Sequence, residues 1–438
     1  MKFLASWFTS KRDAAVGALI ALLVALYCIM LNLPFIRFMD EQASLLAEHS
    51  PFYGAPFTLN LFNFDPSLYY GFDNATIIHP LFNVIKGALA YIAVHLGGNL
   101  FFLVLQACLN ALSAVMIYVY LRKSSPGSGI VVPAAYGLLF GMSSYSLFSS
   151  LVPDSYPYAQ CFLLLSVLYL QYSRQRGQIS PLPTAAYALG HFAVTSTNVV
   201  PFAASAFVTL FRKPYKTSIK KLLSAAGLLL VLIAIGTLVQ GLLFDGHSWA
   251  SDWRNNLSSG GYSYVAPFSL PHHWKTVYML FISPVLTPTI RLLDPGIVAF
   301  VTDLSAMYPL YVTVGGGFLL LLAVLGFARL IRSYEAWMLG SYIGFALALH
   351  IGVGYGLATF QYDLYLYAGH YMFALLLLGG RFLIELKPGT MRAILTGVLL
   401  LLVVVTAGNN IVKHADALDV IRQGYSDMQS QAGEAKLK

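Results

Sequence analysis

Ala14-Ala15-Val16-Gly17-Ala18-Leu19-Ile20-Ala21-Leu22-Leu23-Val24 opens an apolar run that reaches Ile36 without a charge, and Arg37-Phe38-Met39-Asp40-Glu41-Gln42 follows directly. A run of more than ~18 apolar residues is long enough to cross a bilayer as a helix. Two adjacent carboxylates, Asp40 and Glu41, therefore stand where that helix leaves the hydrocarbon. The side they face, and the polar groups that gather with them there, decide the function.

The rest of the chain has the same character. Of 438 residues, 58% are hydrophobic and 10% charged, with a mean hydropathy of +0.70. A soluble domain of this size does not have that make-up; it predicts an all-α polytopic membrane protein. The opening run is too long for a signal peptide and lacks a small-x-small cleavage site, so it reads as an uncleaved anchor. The net charge of +8 is the Lys/Arg excess of cytoplasmic loops. No basic run with interleaved aromatics points to nucleic acid. Cys28, Cys108 and Cys161 all fall inside apolar runs, which suits helix packing rather than disulfides or metal ligation.

Charge places the ends. Lys2, Lys11 and Arg12 precede the first span, so the N-terminus is expected in the cytoplasm and residues 38–98 form the first external loop. Within it, 79–96 reads either as a span, which would put Arg122 and Lys123 outside, or as a helix lying in the outer interface with Lys86 and His95 on its polar side. The second reading keeps the charge rule intact. Spans are then expected at 99–121, 130–150 and 156–173. Residues 183–211 would expose Arg212, Lys213, Lys216, Lys220 and Lys221 if they formed one helix; two short spans meeting at Thr195–Asn198 return them to the cytoplasm. Further spans are expected at 222–244, 308–331, 337–355, 362–384 and 391–411, with a long external loop at 245–306 in which 277–286 is interfacial. The expectation is one domain over 1–412 of about eleven spans, and an external polar tail, 413–438, loosely ordered beyond Gly424.

With that topology the unusual polar groups collect on the outer side: Asp40-Glu41, His79-Pro80, Asp154, Thr195–Asn198, the 245–306 loop, and Tyr362-Asp363 to His370. An acid-lined, aromatic cavity beside an apolar wall suits a polyprenyl-phosphate sugar, whose lipid stays in the bilayer while its head group lies outside. Transfer needs a carboxylate to take the acceptor hydroxyl's proton and donors or cations to hold the phosphate leaving group.

The arrangement resembles the GT-C superfamily of polytopic glycosyltransferases, which includes protein O-mannosyltransferases and the lipid A aminoarabinose transferase. Asp40-Glu41 matches the acidic site of the family's first external loop. His79-Pro80-Leu81-Phe82-Asn83-Val84-Ile85-Lys86 is similar to the mannosyltransferases' His-Pro-Pro-Leu-Gly-Lys segment, and Pro153-Asp154-Ser155-Tyr156-Pro157 to the second acidic site. Leu364-Tyr365-Leu366-Tyr367-Ala368-Gly369-His370 is similar to a late Leu-Tyr-x-x-His segment. Many members carry Lys near the turn where this chain has Asn198.

The resemblance implies a plasma-membrane glycosyltransferase with Asp40 as base, Glu41 and Asp154 as supporting acids, and a GT-C-like helix bundle. His79, Asn198, Tyr365, His370, Lys275 and Arg254 are the candidate donor or acceptor contacts. The acceptor would be a lipid, a polysaccharide or a protein. No cofactor is implied, and a divalent metal stays open; Asp252, His272 and His273 have no recognisable ligand spacing. Each site residue also has a plain structural reading. Asp40 suits a helix cap over Gln42–His49, Asp154 a turn between prolines, and the tyrosines an interfacial belt. Two rival functions remain: a transporter or flippase of a lipid-linked saccharide, against which no internal repeat is visible, and a polymerase or ligase built on the cations of 245–306.

Overall fold

The computed structural model describes residues 2–44, 76–125, 127, 129–251, 253, 257–286, 289–294, 299–303, 305–358 and 364–437. Glu48, Asp65, Asp73, Asp252, Arg254, Tyr362, Asp363 and most of the helix expected over 42–49 lie outside them.

The described chain is helical apart from one hairpin. A single turn, α1 (Lys2–Ala5), precedes α2 (Lys11–Glu41), which Ser10 caps by accepting from the Asp13 N–H. Then come α3 (Asn83–His95), α4 (Asn99–Ser124), α5 (Val131–Gly141), α6 (Ser144–Leu151) and α7 (Tyr156–Arg176). Pro157 sits in the first turn of α7, and Gly177 ends it in the left-handed conformation, φ 68°. After α8 (Pro181–Val194), a 3₁₀ turn at Ser196–Asn198 leads into α9 (Val199–Leu210) and α10 (Tyr215–Leu243). The chain continues through α11 (Leu270–Phe281), strands β1 (Ile290–Asp294) and β2 (Ala299–Thr302), α12 (Leu310–Leu330), α13 (Tyr334–Ala346), α14 (Met372–Glu385) and α15 (Thr390–Leu437).

Among the described residues, five helices are long and apolar enough to cross a membrane: α2, α4, α10, α12 and the first 41 residues of α15. Up to seven spans result if α5 with α6, bent by 45°, and Leu364–His370 with α14, bent by 59°, each count as one broken span. This is an integral multi-pass membrane protein, and the expectation of about eleven spans is corrected downward. The reason is length. With 14 and 12 residues, α8 and α9 reach only about 21 and 18 Å at 1.5 Å per residue, short of a ~30 Å hydrocarbon core. Likewise α13 has 13 residues before it widens into a π-turn at Leu347–Gly352. With 21 residues, α7 is long enough, but Gln160, Ser166, Gln171 and Ser173 dilute its apolar character.

The core is organised around α4, which is largely buried and packs against α2, α5, α6, α7 and α14. By contrast α10 is almost entirely exposed, as a helix facing lipid would be. Close approach of α12 to α14 needs Gly326, where a Cβ would overlap the Leu378 carbonyl. The end of α4 near residue 122 carries the ionic groups. Arg122 Nε donates to Asp13 Oδ1 at 2.9 Å. Glu335 accepts from Tyr120 Oη at 2.8 Å, Ser124 Oγ at 3.1 Å and Arg381 Nε at 3.1 Å. Arg381 also reaches Glu385 at 2.6 Å.

The tail departs from expectation. Instead of loosening beyond Gly424, the chain stays helical to Leu437 as part of a 48-residue helix. Ala417, Leu418, Ile421 and Tyr425 pack against Phe35, Phe38 and Met39 of α2 and against Ile290 and Phe300 of the hairpin. The register there is antiparallel, Ile290 opposite Thr302 and Leu292 opposite Phe300. For 79–96, the 13-residue α3 is too short to span, in keeping with the interfacial reading. Its Lys86, expected on a polar face, is buried, while His95 is exposed.

Candidate active site

Gln106 sets the position of the first site residue. It is fully buried on α4, and its Nε2 donates to the carbonyls of Ser149 (3.1 Å), Ser150 (3.1 Å) and Val152 (2.9 Å). These include carbonyls at the end of α6 that have no intrahelical partner. Its Oε1 accepts the N–H of Asp154 at 3.2 Å. One side chain thus holds both sides of the turn between α6 and α7. Asn110, one helical turn further along α4, bonds the Ser146 carbonyl and the Ser149 and Ser150 hydroxyls at 2.9 to 3.1 Å. Asp154 is buried, and its Oδ1 accepts from the Ser155 N–H and from Ser155 Oγ.

A second strand of the site is pinned by backbone. Leu81 N–H donates to Ala193 O at 3.3 Å and Ser196 N–H to Ile78 O at 2.9 Å, so residues 78–81 lie along the break between α8 and α9. His79 Nδ1 then meets Val194 O at 2.5 Å. Loss of water around the ring, reinforced by the charge of Lys86, pushes the His79 pKa down to about 4. The imidazole is neutral at physiological pH.

The third wall comes from the π-turn after α13 and the 3₁₀ segment before α14. His350 Nδ1 meets Tyr355 O at 2.9 Å, and the His350 and Tyr367 rings lie 4.8 Å apart. Tyr156 sits edge-on to Tyr367 at 5.7 Å, with His370 6.2 Å away. Gly369 has no room for a side chain: a Cβ there would overlap Tyr145 Oη.

These pieces enclose one cavity of about 60 Å³, lined by His79, Asp154, Ser155, Tyr156, Thr195, Thr197, Tyr264, His350, Tyr355, Tyr367 and His370, with Ile78 and Leu349. It has room for several water molecules or for the reacting end of a ligand. A whole drug-sized ligand needs ~300–1,000 Å³. Among the described residues, buried Thr195 Oγ1 has no hydrogen-bond partner, nor has Asn198 Nδ2 in the same turn. Orphaned groups of this kind are rare in a native interior and suit a ligand that completes them. Among the described residues, no group of three or more His, Cys, Asp or Glu is placed to hold a metal ion.

The structure brings three sequence candidates together: His79, Asp154 and His370. Asn198 is buried in the turn that supplies Thr195 and Thr197 but is not among the described lining residues. Asp40 and Glu41 stand exposed at the end of α2 and are not among the described lining residues. Tyr365 is buried against Phe148, ring centroids 5.9 Å apart. Lys275 lines a separate surface cavity of about 320 Å³ with Trp274, Tyr278 and Tyr308. Arg254 lies outside the described residues. Sequence reasoning missed His350, Tyr264 and Tyr355. His350 carried a usable signal, since an ionisable group inside an apolar run is functional by default. Tyr264 and Tyr355 carried none; they meet only through tertiary pairing, with rings 5.8 Å apart.

The chain matches no family model, no curated protein and no solved structure.

Proposed function

We propose that this protein is a glycosyltransferase that moves a sugar from a polyprenyl-phosphate donor to an acceptor hydroxyl at the outer face of the plasma membrane. The observation that carries the reading is the clamped, buried Asp154 in a cavity shared with three histidines and four tyrosines at one end of a transmembrane bundle. In this reading Asp154 takes the acceptor hydroxyl's proton as general base, and His79, His350 and His370 orient hydroxyl groups around it. Asp40 is the rival base. It belongs to the first external loop of the GT-C-like pattern, beside residues 45–75, and Glu41 supports it there.

The ionic residues Asp13, Arg122, Glu335 and Arg381 gather about 24 Å along α4 from Gln106, by the rise of sixteen helical residues. That separation agrees with a cytoplasmic end rich in Arg and Lys and an outer end that holds the site. The two bent helix pairs favour one alternative, a transporter or flippase, because discontinuous helices often carry transport sites. The test is direct. Cell-envelope glycans are compared by mass spectrometry with and without the gene, and purified protein in vesicles is supplied with polyprenyl-phosphate hexose. A missing glycan and release of polyprenyl phosphate support transfer. Movement of the intact lipid-linked sugar between leaflets, with no release, establishes the transporter instead.

A further inference from the structure

Two imidazoles and a carboxylate of the cavity are placed to accept hydrogen bonds. An imidazole nitrogen that faces a carbonyl must carry the proton, so His79 and His350 each donate through Nδ1, to Val194 O and to Tyr355 O. The Nε2 of each neutral ring then holds only a lone pair. Both rings line the cavity, and the hydrogen bond that each ring makes among the described residues runs through Nδ1. Asp154 adds a carboxylate to the same wall. Thr195 Oγ1, buried and without a hydrogen-bond partner among the described residues, can give or take one bond. No Lys or Arg is among the described lining residues.

A phosphate brings the wrong chemistry to such a wall. As the donor's diester or as the monoester released after transfer it is an anion with acceptor oxygens, and it would meet two lone pairs and a carboxylate where the described lining has hydroxyl donors but no cation. A polyol brings donors, and each of its hydroxyls can also accept from Thr195. We infer that this cavity takes the hydroxyl-bearing edge of the sugar, with His79 Nε2 and His350 Nε2 accepting from hydroxyls of a neutral hexose, and that the rest of the ring and the donor's phosphate lie outside it. This rests on the lipid-phosphate-sugar reading for the identity of the donor, but the cavity's preference for a polyol over a phosphate is tested without any lipid.

Diethyl pyrocarbonate modifies unprotonated, accessible imidazole nitrogens, and peptide mass spectrometry reads each histidine separately. The full chain in vesicles free of sugar detergents is treated at pH 7 with no ligand, with methyl gluco-, manno- or galactopyranoside, and with inorganic phosphate; exposed His95 is the internal control. The expected result is modification of His79 and His350, slowed at least threefold by one or more glycosides and unchanged by phosphate, with His95 unaffected. Slowing by phosphate overturns the inference. So does the failure of every glycoside, or the absence of modification at either ring without ligand. A second arm compares polyprenyl-phosphate hexose with polyprenyl phosphate. Protection by the glycosylated lipid at far lower concentration than the free glycoside supports the donor reading. Equal potency removes the lipid donor while leaving the sugar subsite in place.

Discussion

Replacing Gln106 by Leu removes the clamp on the Asp154 turn while preserving size and apolar contact. Four backbone groups lose a partner: the carbonyls of Ser149, Ser150 and Val152, and the N–H of Asp154. An amide nitrogen has two hydrogens, so the three donor contacts include a shared one. At ~0.6 kcal/mol per side-chain bond between membrane helices, the loss is about 2 kcal/mol. At ~1 kcal/mol per bond, the usual net value in soluble proteins, it is about 4 kcal/mol. Either figure leaves a folded protein if the bundle has ordinary stability. Gln106 holds both sides of the turn, and a ~1 Å shift of a positioned group costs ~10²-fold in rate. Gln106→Leu should therefore lower kcat for glycosyl transfer ~10²-fold with little change in KM.

Asn110→Leu is the control. It removes a comparable set of bonds one turn away, to Ser146, Ser149 and Ser150, and should lower the melting temperature in detergent without a matching loss of kcat. Gln106→Glu keeps the acceptor for Asp154 N–H but loses the amide donors, and should resemble Gln106→Leu. If Gln106→Leu transfers sugar at the wild-type rate at equal abundance, the clamp does not position a catalytic group. If Asn110→Leu loses kcat as severely, the effect is general loosening of α6.

Three further outcomes follow from the geometry. Arg381→Ala leaves buried Glu335 without its ion partner and should destabilise the protein by ~3–5 kcal/mol, seen as a lower melting temperature with transfer intact in the folded fraction. His79 is neutral in the folded protein, with its pKa depressed from 6.5 to about 4. Its stabilising contribution is present above about pH 6.5 and lost as pH falls towards 4; thermal melts should show a smaller loss over that window in His79→Asn. Gly369→Ala forces a methyl into Tyr145 Oη and should displace the Leu364–His370 segment, reducing activity more than Gly227→Ala, where a Cβ meets nothing within 4 Å on the exposed α10.

The membrane class was legible because hydropathy is additive along the chain: apolar runs long enough to cross a bilayer are visible without knowing what they touch. The break at Thr195–Asn198 was legible too, because one helix through 183–211 would have carried a basic cluster to the wrong side, and the structure does divide there into α8 and α9. The span count was not. Runs such as 130–150 and 337–355 are continuous in hydropathy but break on folding into α5 and α6, and into α13 and a π-turn. In the site, His79, Asp154 and His370 could be found because each is an ionisable group at the edge of an apolar run. Gln106 lies inside the expected span 99–121 with nothing in its sequence setting to single it out, and its role exists only in the bonds it makes to a turn some forty residues later. The Tyr264–Tyr355 pairing joins segments that sequence spacing does not relate.

The most direct test of the account compares Asp154→Asn with Asp40→Asn in the vesicle transfer assay, alongside donor binding and thermal melting. Loss of a general base costs ~10²–10⁴ in rate, while loss of a helix cap costs only about 1 kcal/mol of stability. The account predicts that Asp154→Asn folds, binds donor and transfers at least ~10²-fold more slowly, and that Asp40→Asn stays within a few-fold of wild type. Near-normal transfer by Asp154→Asn, with Asp40→Asn inactive, would contradict it and move the catalytic base to the end of α2.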